Sequence, residues 1–176
     1  MEVGVASRPG RMLDTPSYTS SQLSRLRRIF HAMNHLMVWM WKAGLGKAIN
    51  SWPAVFGRIM VIRHKGRKSG REYLTPVNYA IVDGEIYCTA GFGPATDWYR
   101  NILSSPCAAL WLPDGWRQVH AVDATDSPRR AELLRQVVVA SGMAGPLLGV
   151  DQKHLSDEQL LQIARDYRIV HFELEA

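Results

Sequence analysis

The segment best equipped for chemistry is Gly66-Arg67-Lys68-Ser69-Gly70-Arg71. Its two glycines let the backbone turn tightly and present N–H groups outward. Arg67 supplies a guanidinium fork, Lys68 an ammonium and Ser69 a hydroxyl donor. Together these are the parts of a phosphate cradle, a backbone nest ringed by charged donors. Six Lys or Arg residues against one Glu lie between Arg58 and Tyr73, so the local field favours an anion. A solvated basic hairpin tip would have the same composition, and the residues alone leave both readings open.

Few other residues are arranged for chemistry by protein groups. The sequence has no GxSxG, no HExxH and no Cys/His cluster. His31 and His35 stand at i, i+4, but no third ligand matches them, so no metal site is expected. His154 and His171 are isolated and fit surface or capping roles. Cys88 and Cys107 sit among strand residues and read as buried, inert thiols. The absence of GxGxxG and GxxxxGK[ST] disfavours a Rossmann or P-loop nucleotide site. No catalytic residue can be named. Tyr99, Tyr167 and bulk water are the candidate proton donors.

These groups must be held by a domain of ordinary composition. The chain has 176 residues, 47% hydrophobic and 21% charged, which suits one globular domain. Two cysteines exclude a disulfide scaffold. The longest apolar run, Leu36 to Trp41, is far short of the roughly 20 residues of a membrane span. A net charge of +5 and a pI near 9.5 point to an anionic partner without naming it. Pro9, Gly10, Pro16 and several Ser and Thr make residues 1–20 a flexible arm and not a cleaved signal. Residues 21–176 then form a single domain, whose 21–50 segment is helical.

Within that segment, Leu26, Ile29, Phe30, Met33, Met37 and Met40 follow helical spacing from about Ser21 to Leu45. From Arg58 the period changes to two. Strands are expected at about 58–64, 72–82, 85–90, 107–112, 116–125 and 168–174. Asp83-Gly84 marks a hairpin, and Pro113-Asp114-Gly115 marks another. Helices are expected at 96–104, from Ser127-Pro128 to Ser141, and from Ser156. About six strands joined by tight turns give an α+β fold, an antiparallel sheet or small barrel flanked by helices.

The ordered set Gly66-Arg-Lys-Ser-Gly70, Thr75-Pro76, Asp83-Gly84 and Asp97-Trp98-Tyr99-Arg100-Asn101 resembles the deazaflavin-dependent nitroreductase family. Those bacterial oxidoreductases use coenzyme F420 on a split β-barrel like that of FMN-binding oxidases. The resemblance covers about residues 55–125. It implies that Arg67, Lys68, Ser69 and Gly70 hold the phosphate and tail of the cofactor. Thr75, Pro76 and Val77 would line its ring, with backbone groups at the polar edge. Thr89, Ala90, Gly91 and Phe92 would form the opposite loop, and Trp98 and Asn101 would close the pocket. Phe92 stands where some relatives carry a basic residue, which removes one anchor for the anionic tail.

The chemistry implied is hydride transfer from reduced F420, with the protein binding, orienting and excluding water. FMN or a haem-type tetrapyrrole on the same barrel, or a carrier without turnover, is the alternative, and a basic RNA- or lipid-binding module is a third reading. The basic cluster has Tyr73 as its one close aromatic neighbour, which argues against nucleic acid. Met33, Met37, Trp41 and Met143 lie on apolar segments suited to a hydrophobic planar acceptor: a quinone, an enone or a nitroaromatic. The basic, Trp-bearing helix also suits contact with a membrane surface from the cytoplasmic side. Open strand edges would suit a homodimer.

Overall fold

The computed structural model describes residues 33–142 and 155–175. Six strands form a closed antiparallel barrel: β1 (Ile59–Lys65), β2 (Glu72–Val82), β3 (Glu85–Ala90), β4 (Cys107–Leu112), β5 (Gly115–Asp123) and β6 (Arg168–Leu174). Their order around the barrel is β1-β2-β3-β6-β5-β4. Helices flank it: α1 (residues 33–42), α2 (Gly46–Asn50), α3 (Pro53–Phe56), α4 (Asp97–Ser104), α5 (Arg130–Ala140) and α6 (Asp157–Ile163). This is the α+β split-barrel class expected. The strand bounds match within one or two residues. The arm 1–20, the segment 21–32 and Met143 lie outside the described residues.

Strand alternation explains the core. Met60 and Ile62 of β1 point into the barrel with Ile86, Cys88, Leu110, Val119 and Phe172. Ile59 and Val61 point outward, onto Trp41 and Ile49. A strand covered on both faces reads as an unbroken apolar run, as β1 does. A third cluster joins Ala80, Val82 and Ile169 to Leu133, Leu134 and Val137 of α5 and Leu160 of α6.

Local signals set the ends of the elements. Asp83 and Gly84 both take positive φ, 53° and 87°, as the expected two-residue hairpin requires. The first helix stops at residue 42, not at Leu45. Gly44 has φ 81°, and Leu45 N–H reaches back to the Met40 carbonyl at 3.0 Å, a Schellman ending. Ser156 caps α6 in a capping box with Gln159. The helix expected from Ser127-Pro128 begins at Arg130.

Closure is uneven. β1 and β4 meet over three residue pairs, Val61–Arg63 against Ala109–Trp111. β2 pairs with β1 over Glu72–Asn78 and then with β3 over Tyr79–Val82. One edge of its first half is therefore not laddered among the described residues.

Gly93 fastens the segment after β3. It has φ 62°, and a Cβ there would lie 2.6 Å from the Asp166 carbonyl oxygen. Gly93→Ala should therefore destabilise the fold by about 1–3 kcal/mol through backbone strain and overpacking. Chemical denaturation would check this, and a midpoint equal to the wild type's would show that the contact is relaxed.

Candidate cofactor site

The β1–β2 connection is built to stay open at its tip. Gly66 N–H donates to the Arg71 carbonyl and Gly70 N–H to the Gly66 carbonyl, both at 2.8 Å. Gly66 is buried, and a Cβ there would sit 2.6 Å from the Tyr73 ring. Gly70 has φ 65° and open space beside it. Lys68, Ser69, Gly70 and Arg71 are exposed. The N–H groups of Lys68 and Ser69 have no acceptor among the described residues. Lys68 and Arg71 form no ion pair among them either.

Arg67 points the other way. Its side chain is 20% exposed, and its Nη2 donates to Asp97 Oδ1 at 3.1 Å. Its Nη1 donates to Asn101 Oδ1 at 2.8 Å, and its main-chain N–H donates to the same oxygen at 3.2 Å. The sequence pictured Arg67 as a phosphate ligand. The fold uses its guanidinium to clamp the turn to α4.

Asn101 continues the chain inward. It is buried, and its Nδ2 lies 3.5 Å from His64 Nδ1. His64 Nε2 lies 3.0 Å from Thr75 Oγ1. With the Asn101 amide donating to Nδ1, Nε2 carries the proton and donates to Thr75. The Tyr73 ring stacks on His64 at 5.9 Å. One polar chain, Asp97–Arg67–Asn101–His64–Thr75, thus links the turn, α4, β1 and β2. His64 escaped the sequence reading. Its signal was its place after Met60 and Ile62 in the inward row of β1, a polar residue ending an apolar face.

Burial holds the His64 imidazole below its ordinary value, outweighing a backbone hydrogen bond at Lys65 that raises it. The folded protein thus binds this proton less readily than the unfolded chain does. The stability it contributes is complete above the unfolded value of 6.5 and is lost as pH falls from there toward the folded value. Thermal midpoints should fall as pH drops below 6.5 in the wild type, and less in His64→Gln; equal pH dependence in both would contradict this.

The remaining expected residues divide by strand face. Tyr79 N–H donates to the Arg58 carbonyl, which sets the parity of the β1–β2 ladder. Odd-numbered residues turn their backbone groups to β1, and Leu74 and Pro76 turn theirs to the unladdered edge. Thr75 and Val77 face inward, Thr75 onto His64 and Val77 against the barrel core. Backbone groups for a ring edge would thus come from Leu74 and Pro76. Ala90 is 1% exposed in the core, while Thr89 is half-buried on the outer side of β3. Gly91 and Phe92 are exposed. A Cβ on Gly91 would meet the Tyr167 ring at 3.5 Å, so Tyr167 occupies the space beside this glycine. Trp98 is half-buried against the core, edge-on to Tyr99.

Met33, Met37 and Trp41 lie on a separate outer face. Trp41 is 2% exposed, packed with Ile49, Ile59 and Val61 and edge-on to Trp111. It anchors α1 to the barrel. Met37 packs beside it, with Leu74 in the same cluster. Met33 is exposed.

Tyr99 is committed to structure. Its hydroxyl donates to Asp123 Oδ2 at 2.6 Å, and burial together with that carboxylate pushes its pKa up to about 12. Tyr167, also raised by burial, is the candidate proton donor that faces the Gly91 loop. Cys88 is buried and its thiol is pushed up by burial. Cys107, expected to be buried, is exposed at the start of β4. Among the described residues no cluster of His, Cys, Asp or Glu could hold a metal, and no helix is long and apolar enough to cross a membrane.

Residues 34–145 match the model of the F420H(2)-dependent quinone reductase family. The chain belongs to that family. It is an F420H2-dependent oxidoreductase, as the ordered motifs implied. No curated protein matches the sequence. Solved structures resemble it loosely. A conserved hypothetical protein from Mycobacterium tuberculosis is 20% identical, with a TM-score of 0.45 over 76% of this chain and 80% of that one. An F420-H2 dependent reductase, FDR-A, is 17% identical, with a TM-score of 0.47 over 66% of this chain and 93% of that one. A heme binding protein from Mycobacterium smegmatis is 10% identical, with a TM-score of 0.46 over 75% of this chain and 51% of that one.

The donor set at the turn fits an anionic cofactor. Two amides without acceptors among the described residues, an ammonium, a guanidinium and a hydroxyl surround an exposed tip with open space at Gly70. These are the partners a phosphate takes.

Proposed function

We propose that this reductase passes a hydride from F420H2 to a hydrophobic planar acceptor of the quinone type, with the cofactor's phosphate seated on the Gly66–Arg71 turn. The observation that carries this reading is the exposed turn on which, among the described residues, the Lys68 and Arg71 cations and the Lys68 and Ser69 amides have no partner while Arg67 locks its base. Lys68, Ser69, Gly70 and Arg71 would hold the phosphate. Leu74 and Pro76 would offer backbone groups along the unladdered edge of β2, and Trp98 would close the pocket from α4. When bound, reduced F420 supplies the hydride. The protein's part is to orient the cofactor, shield it from water and place the acceptor against it.

An apolar acceptor suits the outer face of the barrel. Met33, Leu36 and Trp39 of α1 are 55%, 58% and 64% exposed. They recur every third residue, and Lys42 follows at the helix end. Such a strip suits the surface of a bilayer that carries a dissolved quinone. Oxidation of F420H2 should therefore be followed with a water-soluble quinone and with a long-chain quinone in anionic vesicles. Both should be reduced, and Leu36→Ala/Trp39→Ala should slow only the vesicle reaction. No turnover with any quinone, while a nitroaromatic or enone is reduced, would replace the acceptor class. Equal rates on vesicles for variant and wild type would remove the membrane role of α1.

A further inference from the structure

The inward row of β2 has a tyrosine near each end. Tyr73 stands beside the turn, and Tyr79 lies six residues along, roughly 20 Å away at the opposite end of the barrel. There an open surface depression of about 460 Å³ is lined by Lys47, Asn50, Ser51, Arg58, Tyr79 and Asp114, with Pro113. α2, the residue before β1, the far end of β2 and the β4–β5 turn build its walls.

The polar groups here are not equivalent. Asn50 is fully engaged: its amide donates to the Gly46 and Ile59 carbonyls and its oxygen accepts from Ile59 N–H. The Ser51 hydroxyl donates to the Lys47 carbonyl. Asp114 is held by Arg117 at 2.7 Å. Three donors remain. The Lys47 ammonium and the Arg58 guanidinium have no partner among the described residues. Tyr79 is 6% exposed as a residue, and its hydroxyl, which reaches solvent, has no protein hydrogen-bond partner among them. Tyr79 lines the depression beside Arg58 and Asp114.

We propose that this depression is a second oxyanion site, taking a carboxylate or phosphate group on Lys47, Arg58 and the Tyr79 hydroxyl. Two cations and a neutral hydroxyl donor around an open depression make a charge-assisted site for a small anion. The one acidic lining residue, Asp114, is paired with Arg117. The site lies at the other end of the barrel from the Gly66–Arg71 turn and does not depend on the reading of that turn.

The test is a titration of the uniformly ¹⁵N-labelled full chain with inorganic phosphate and, separately, with glutarate, at constant ionic strength. Saturable amide shifts should appear at Lys47, Arg58, Tyr79 and Gly115 at millimolar ligand. The tighter of the two probes identifies the source of the oxyanion. Arg58→Gln should weaken binding about tenfold, the loss of one charge-assisted contact. Tyr79→Phe should weaken it about threefold, the loss of one neutral hydrogen bond. Lys68→Ala/Arg71→Ala should leave these shifts in place. Shifts that do not saturate, or that survive both Arg58→Gln and Tyr79→Phe, or that vanish in the Lys68/Arg71 variant, would overturn the proposal.

Discussion

Asn101→Ala should destabilise the folded chain by about 2–4 kcal/mol, because it strips the acceptor from two part-buried Arg67 donors and the donor from buried His64 at once. Asn101 is 7% exposed, and its Oδ1 takes both the main-chain N–H and the Nη1 of Arg67. Its Nδ2 faces His64, itself 3% exposed. The Arg67–Asp97 bridge cannot compensate, because Asp97 is 83% exposed and such pairs contribute at most about 1 kcal/mol. Asn101→Asp makes the finer test. It keeps an acceptor for Arg67 and loses the donor to His64, so it should lie between alanine and wild type. Chemical denaturation of the three proteins would check the order. Wild-type stability in Asn101→Ala would show that the polar chain does not hold the turn.

Lys68→Ala/Arg71→Ala should have the opposite profile, leaving stability nearly unchanged and weakening F420 binding by about 2–4 kcal/mol. Both side chains are exposed and make no ion pair among the described residues, so the fold does not use their charge. Their loss should also flatten the salt dependence of cofactor binding, since screening acts on exposed charges. Arg67→Ala belongs with Asn101 instead, because its guanidinium is tied to α4. A thermal midpoint that falls in Arg67→Ala but not in the double variant would separate the two roles.

The barrel was legible because its signals are local. Asp83-Gly84 can turn only one way, and the period-two runs on either side have nowhere else to bury their apolar face. The turn at Gly66–Gly70 was legible for the same reason. What the sequence could not show was which members of the basic run face inward. Arg67 and Lys68 are neighbours of similar charge, and only the approach of α4, thirty residues later, gives one of them Asn101 and Asp97. The resemblance places Thr75, Pro76 and Val77 along the ring with backbone groups at its polar edge; only the β1–β2 register shows that the Thr75 and Val77 side chains face into the barrel. Trp41 looked like a substrate aromatic. A fully buried tryptophan between α1 and β1 is what an amphipathic helix needs to dock. Cys107 misled because strand membership does not fix exposure at the first residue of a strand.

Whether the cofactor's phosphate rests on the Gly66–Arg71 turn is decided by equilibrium titration of wild type and Lys68→Ala/Arg71→Ala with F420 and with the deazaflavin chromophore lacking the phosphate tail. The double variant should lose about 30- to 1000-fold in affinity for F420 and almost nothing for the tail-less compound. Equal losses for both compounds, or no loss for F420, would contradict that placement of the phosphate.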